Sequence, residues 1–290
     1  MTIREKLITP TMNENNNRHY ATPVGGLPAQ SDLMSPTDRA VVTNAYTFIP
    51  GGVHRDIVTM RLPHWSNTRL WVLAKPNAGF ATTFSHYLME VSSGGGSLQP
   101  EIDASAEAGL FITSGSLELT INGSLHILQA GGFAFLPPGC QWTCKQNNET
   151  PCHFHWIRKS YMAVDGITVP EPFVVNERDI KPIAMPDTDS QWTTTRFFDM
   201  DDVRYDMHIT IVTLGPGAVI PFLETHVMEH GLYVLNGKGV YRLNQDWVEV
   251  EAGDYMWLRA FCPQACYAGG PEPFRYLLYK DMHRHCPLQV

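Results

Sequence analysis

Moved along itself by 122 positions, the sequence matches. AEAGLFITSGSLELTING, beginning at Ala106, lies over MEHGLYVLNGKGVYRLNQ, and Ala108 falls under His230. Without a gap, the same shift pairs Gly109 with Gly231, Gly115 with Gly237, Asn122 with Asn244, Gly131 with Gly253 and Leu136 with Leu258. It also pairs Cys140 with Cys262 and Cys144 with Cys266. A period of this size is too long for a solenoid and matches a whole domain, so the chain reads as two copies of one fold. The length of 290 residues agrees, because single cores stop growing efficiently near ~250 residues.

Within each copy, short runs rich in β-branched and aromatic residues, such as LFITSG, SLELTING, VYRLN and RYLLYK, alternate with Gly, Asn and Pro. That texture predicts antiparallel strands closing into a sandwich or barrel, without long amphipathic helices. The expected layout is all-β: an extended arm over 1–50, a first domain over 51–169, a connector over 170–195 and a second domain over 196–290.

Hydrophobic residues at 43% and charged residues at 17% fit a packed globular protein and exclude a disordered or coiled-coil chain. With a net charge of −8 and no basic cluster, the chain is not expected to bind nucleic acid. Neither a signal-like apolar stretch at the start nor a membrane-length apolar run is present, so a soluble, non-membrane protein of the cytoplasm is expected. The six cysteines, Cys140, Cys144, Cys152, Cys262, Cys266 and Cys286, form no CxxC pair and read as free thiols of a reducing compartment.

Chemistry concentrates in LETHVMEHGLYVLNGKG. Glu224, His226 and His230 are all even-numbered, so on one extended strand their side chains point to one face. His226 to His230 also spells HxxEH, the pattern of a helical zinc protease. Gly215, Pro216, Gly217 and Pro221 before it and Gly231 after it leave no room for that helix. Either histidine alone could be an ordinary core or surface residue; three liganding groups on one face argue for a metal site.

These residues resemble the cupin superfamily, whose first motif places a glycine before two histidines, then a carboxylate and a second glycine. Glu224, His226, His230 and Gly237 keep that motif's internal spacing with ligand types exchanged, and the leading Gly217 is one residue farther away. Gly253, Arg259, Phe261 and Gln264 keep the spacing of the second motif but replace its Pro, Gly and His. In the first copy, Gly131, Pro137 and Gly139 keep the turn residues, while the four ligand positions read Ile102, Ala104, Ala108 and Trp142. Glu224, His226, His230 and Gln264 together are similar to the ligand set of the (S)-ureidoglycine aminohydrolase family of bicupins. Two tyrosines and a lysine of that family are matched by Tyr241, Tyr276 and Lys280, against Phe154 and Arg158 at the last two places in the first copy.

The resemblance implies two tandem cupin jelly-roll barrels, of which only the second binds metal, with one Mn²⁺ per chain. Two imidazoles, a carboxylate and an amide oxygen suit Mn²⁺ or Fe²⁺ better than a structural zinc. It further implies hydrolysis of ureidoglycine to ureidoglycolate and ammonia, a step of purine and allantoin breakdown, in a homo-oligomer. Lys280, Tyr276 and Glu224 are the expected catalytic groups; Tyr241, Tyr276 and Lys280 are expected on the substrate. Another metal-dependent cupin enzyme, a dioxygenase or isomerase of a small polar acid, is the alternative. Without the resemblance, both tyrosines read as barrel packing and Lys280 as a solvated strand end. The HxH pairs His153/His155 and His283/His285 lack a following carboxylate and glycine and are expected to be non-ligands.

Overall fold

The computed structural model describes residues 40–52, 60–76, 82–282 and 284. Twenty strands run through them. The first ten are β1 (Val41–Val42), β2 (Tyr46–Ile49), β3 (Trp65–Ala74), β4 (Phe84–Ser97), β5 (Ala106–Ser114), β6 (Ser116–Ile121), β7 (Ser124–Gln129), β8 (Gly132–Leu136), β9 (Trp142–Lys145) and β10 (Cys152–Ser160). After them come β11 (Phe173–Asn176), β12 (Ile183–Ala184), β13 (Trp192–Arg196), β14 (His208–Leu214) and β15 (His230–Asn236). The last five are β16 (Lys238–Leu243), β17 (Asp246–Glu251), β18 (Tyr255–Leu258), β19 (Gln264–Ala268) and β20 (Phe274–Lys280). A single turn of 3₁₀ helix spans Glu177–Asp179, and no described helix is long and apolar enough to cross a membrane.

The duplication holds strand by strand. Shifted by 122, β6 and β7 land on β16 and β17 residue for residue, and β5, β8, β9 and β10 fall on β15, β18, β19 and β20 with slips only at their ends. The repeated glycines are backbone requirements: Gly115 and Gly237 have φ of 74° and 76°. A Cβ would stand 2.5 Å from the Pro151 carbonyl oxygen at the first and 2.4 Å from that of Pro273 at the second. Gly115→Ala and Gly237→Ala are each expected to destabilise the fold by about 1–3 kcal/mol, a loss that thermal denaturation of the variants would register. An unchanged midpoint for both would show that these turns relax freely.

Each half surrounds its own apolar core. Strands β11-β8-β5-β10-β4-β9-β6-β7 follow one another in the first sheet, with β3 beside β4; β4 bends from β10 to β9 and links the two faces of the barrel. In the second half the order is β1-β2-β18-β15-β20-β14-β13-β12, faced by β17-β16-β19. This is the all-β, two-barrel architecture expected from the repeat. The opening strands of the two halves are exchanged. β2 pairs with β18 of the second half, and Tyr46 and Phe48 enter the second core. β11, which follows the first half, pairs with β8 and returns the favour. Both exchanges cover a sheet edge that would otherwise present unpaired backbone groups.

A third core joins the barrels. Phe84, Phe111, Phe133, Phe135 and Ile157 of the first half meet Ile209, Ile211, Tyr255, Trp257, Leu277 and Tyr279 of the second. The alternation of β20 shows the division of labour: Tyr276 and Leu278 face the interior of the second barrel, whereas Leu277 and Tyr279 face the other domain.

Candidate active site in the second barrel

The interior of the second barrel grades from apolar to polar along its strands. Leu214, Val234 and Phe274 fill one end. At the other, β15 and β20 present His230 and Lys280 as direct neighbours, with His208 of β14 on the far side of Lys280. From Pro221 to Glu229 the chain does not run as one strand, which corrects the parity argument for Glu224, His226 and His230. Glu224 instead forms an isolated bridge to Gln264, with backbone hydrogen bonds of 2.8 and 2.9 Å in the two directions. His226 sits on the following loop, held by the Phe261 N–H donating to its carbonyl at 2.7 Å and by Thr225 Oγ1 donating to the Phe261 carbonyl at 3.0 Å. His230 opens β15. No helix spans 226–230, in keeping with rejection of the protease pattern.

These pieces converge on a chain of polar contacts. His226 Nε2 lies 3.1 Å from His230 Nε2 and 3.0 Å from the Gln264 amide nitrogen. The Tyr241 hydroxyl donates to Gln264 Oε1 at 3.3 Å and stands 3.5 Å from the Tyr276 hydroxyl. His230 Nδ1 is 3.2 Å from the Tyr279 carbonyl, which can only accept. Nδ1 therefore carries the proton, and the lone pair of Nε2 faces the cluster, the tautomer a metal ligand needs.

Burial sets the electrostatics. It pushes His230 well below the ordinary imidazole range, helped by His226 and Lys280, and it lowers His226 with help from Lys280. Burial lowers Lys280 too, with Glu224 opposing the shift and Arg196 adding to it. Glu224 is raised by burial against the pull of Lys280. Tyr241 and Tyr276 are held well above their usual value, again by burial, so both hydroxyls keep their protons.

The donor set fits a metal ion. Two imidazole nitrogens bound at right angles to one ion at ~2.0–2.1 Å stand about 2.9 Å apart, close to the 3.1 Å between His226 and His230. A half-turn of the Gln264 amide exchanges its oxygen and nitrogen and brings the oxygen beside His226. Among the described residues no three His, Cys, Asp or Glu side chains gather into a cage, so Glu224 is not drawn together with the two histidines, and Gln264 is the further donor group beside them. Two surface hollows, of about 350 and 310 Å³, lie elsewhere, the first beside Val42, Met60 and Trp257 and the second beside Glu177 and Arg275.

Among the described residues, nothing comparable exists in the first barrel. Trp142, at the place of Gln264, is buried with its ring centroid 6.4 Å from Trp65 and 5.8 Å from Trp156, so indoles fill the corresponding space. Ala108 and Phe154 replace His230 and Tyr276, Ile102 is exposed, and Arg158 pairs with Glu101 at 2.5 Å. His153 contacts Glu90 at 3.2 Å and His155 contacts His86 at 3.0 Å, both away from the cluster. His283 and His285 lie outside the described residues. One interior residue had not been singled out from the sequence: Arg196, at the end of β13. The alternation Trp192, Thr194, Arg196 was the available signal, since Trp192 belongs to the barrel core.

Residues 87–158 and 210–279 each match the cupin domain family. Two such domains in tandem define a bicupin. The sequence is 30% identical over 260 residues to (S)-ureidoglycine aminohydrolase of Escherichia coli, spanning 88% of this chain and 95% of that one. It is 32% identical over 231 residues to (S)-ureidoglycine aminohydrolase of Arabidopsis thaliana, spanning 77% and 72%. The crystal structure of a Pseudomonas aeruginosa protein described as glyoxylate-induced superposes with a TM-score of 0.84 at 60% identity, covering 93% of this chain and 98% of that one. The chain belongs to the (S)-ureidoglycine aminohydrolase family.

Proposed function

We propose that the second barrel hydrolyses (S)-ureidoglycine to (S)-ureidoglycolate and ammonia, with Glu224, His226, His230 and Gln264 holding one Mn²⁺ ion. The observation that carries this reading is the convergence of two imidazoles, an amide and two tyrosine hydroxyls in one barrel, at positions where the other barrel has alanine, tryptophan and phenylalanine. The family to which the chain belongs supports the choice of substrate. When bound, the ion supplies Lewis acidity and an anchor for the oxygen or nitrogen donors of the substrate.

The net change breaks the bond from carbon to the amine nitrogen and forms a bond to a water oxygen, while a proton passes from water to the departing ammonia. Lys280 moves that proton. Burial lowers its proton affinity, which eases release of the proton it carries. Tyr241 and Tyr276, protonated and buried, donate hydrogen bonds that orient the substrate and fix which face meets water. Glu224 offsets the positive charge of Lys280. The same reading places the enzyme in allantoin breakdown in the cytoplasm. The five described cysteines are all unpaired, as a reducing compartment requires. A homo-oligomer is supported by the edge strand β7, which exposes Leu125 and Ile127.

Metal analysis of the purified protein together with an ammonia assay on freshly generated ureidoglycine tests the reading. One equivalent of metal per chain, lost in His226→Ala, and metal-dependent ammonia release without oxygen are expected. Two equivalents per chain unaffected by that substitution, or ammonia release no faster than spontaneous decay, would overturn it.

A further inference from the structure

We infer that Arg196 is the anchor for the substrate carboxylate, an assignment that rests on the proposed ureidoglycine chemistry. Arg196 closes β13 opposite Thr210 of β14, and Thr210 in turn lies opposite Leu278 of β20. Trp192, Val212 and Leu278, which share these interior-facing positions, all belong to the barrel core. Arg196 therefore projects from the inner face, one pleat from the row that carries His208, Lys280 and His230.

Its charge has no partner of opposite sign. Nε donates to Thr194 Oγ1 at 3.0 Å, which is a neutral acceptor. Among the described residues no carboxylate lies within ion-pair distance of Arg196, whereas Arg69, Arg158 and Arg275 each have a glutamate. The positive neighbour is Lys280, whose proton affinity Arg196 helps to depress. Two cations directed into one partly buried space, with Glu224 the acidic member of the cluster, leave a place for a small anion. Ureidoglycine brings one: its carboxylate is a planar, two-oxygen acceptor that suits a guanidinium fork. The repeat supplies an internal contrast, because the first copy has Ala74 at this position. The barrel that lacks the polar cluster lacks the cation as well.

The geometry divides the labour of the polar end. Arg196 holds the carboxylate and so presents the amine-bearing carbon toward Lys280, while the tyrosines address the ureido group. Arg196 is a binding residue, and its loss should appear in KM with kcat little changed.

N-carbamoylglycine, which keeps the ureido group and carboxylate but has no amine to lose, and its neutral carboxamide are suitable probes. Calorimetry on the metal-loaded wild type should favour the acid over the amide by about 10–150-fold, the range of a hydrogen bond to a charged group. In R196Q and R196M that preference should fall to near unity, with metal content unchanged and KM for ureidoglycine raised by a similar factor. R196K, which keeps the charge but not the fork, should fall between. An undiminished preference for the acid in the folded variants, or a loss confined to kcat, would overturn the anchor while ammonia release by the wild type upheld the activity. Wild type that prefers the acid but releases no ammonia would sink the activity and keep the anchor. A wild type that neither discriminates between the probes nor turns over substrate would sink both.

Discussion

Lys280→Met is expected to keep its metal and lose about 10²–10⁴ in turnover, the usual worth of a positioned proton-transfer group. Methionine preserves the length and the apolar stem of the side chain, so the core formed with Tyr276 and Leu278 should survive. What it removes is the one amine flanked by His230 on β15 and His208 on β14. A solvated strand-end lysine would cost almost nothing, and the two readings therefore differ by orders of magnitude. Single-turnover ammonia release, measured beside elemental analysis of the same preparation, separates them. Wild-type turnover with metal in place would remove Lys280 from the chemistry.

His230→Ala is expected to loosen the metal by more than ~100-fold, because even partners behind a ligand are worth 10–100-fold in affinity. His230 is buried, and its orientation is fixed by the Tyr279 carbonyl, so its loss leaves both a missing donor and a void. Gln264→Ala should loosen the metal less, since a neutral amide oxygen is a weaker donor than imidazole. It would also remove the side chain that the Tyr241 hydroxyl meets at 3.3 Å. Competition with a metal-binding indicator gives both constants. Equal weakening in the two variants would count against this ligand set.

The repeat made the barrels legible because a shift that superposes glycines also superposes the turns they permit: Gly115 and Gly237, or Asn122 and Asn244, take positive φ in both copies. Strand parity was sufficient for Tyr276 and Lys280, which do sit on one strand. It failed for Glu224 and His226, where isolated bridges replace a continuous ladder and a cross-strand neighbour, Gln264, does the positioning. No local pattern announces such a pairing, because Glu224 and Gln264 are distant in sequence. The same limit hid the exchange of β2 and β11: a short strand names no partner, and β2 joins residues from the far end of the chain. Arg196 escaped for another reason. A strand-terminal arginine looks solvated until the register shows which face it occupies.

The placement of β2 also governs how the molecule can be made. A ribosome delivers Tyr46–Ile49 long before its partner Tyr255–Leu258 exists. At about 5–20 residues per second, that wait is on the order of 10–40 s. Until then Tyr46 and Phe48 lack a complete core to enter, since that core is built from residues as late as Leu278. The second barrel therefore finishes last, closed by a strand synthesised before any of the strands it completes. A gene cut between the two halves would leave one fragment carrying the clasp and the other carrying the chemistry.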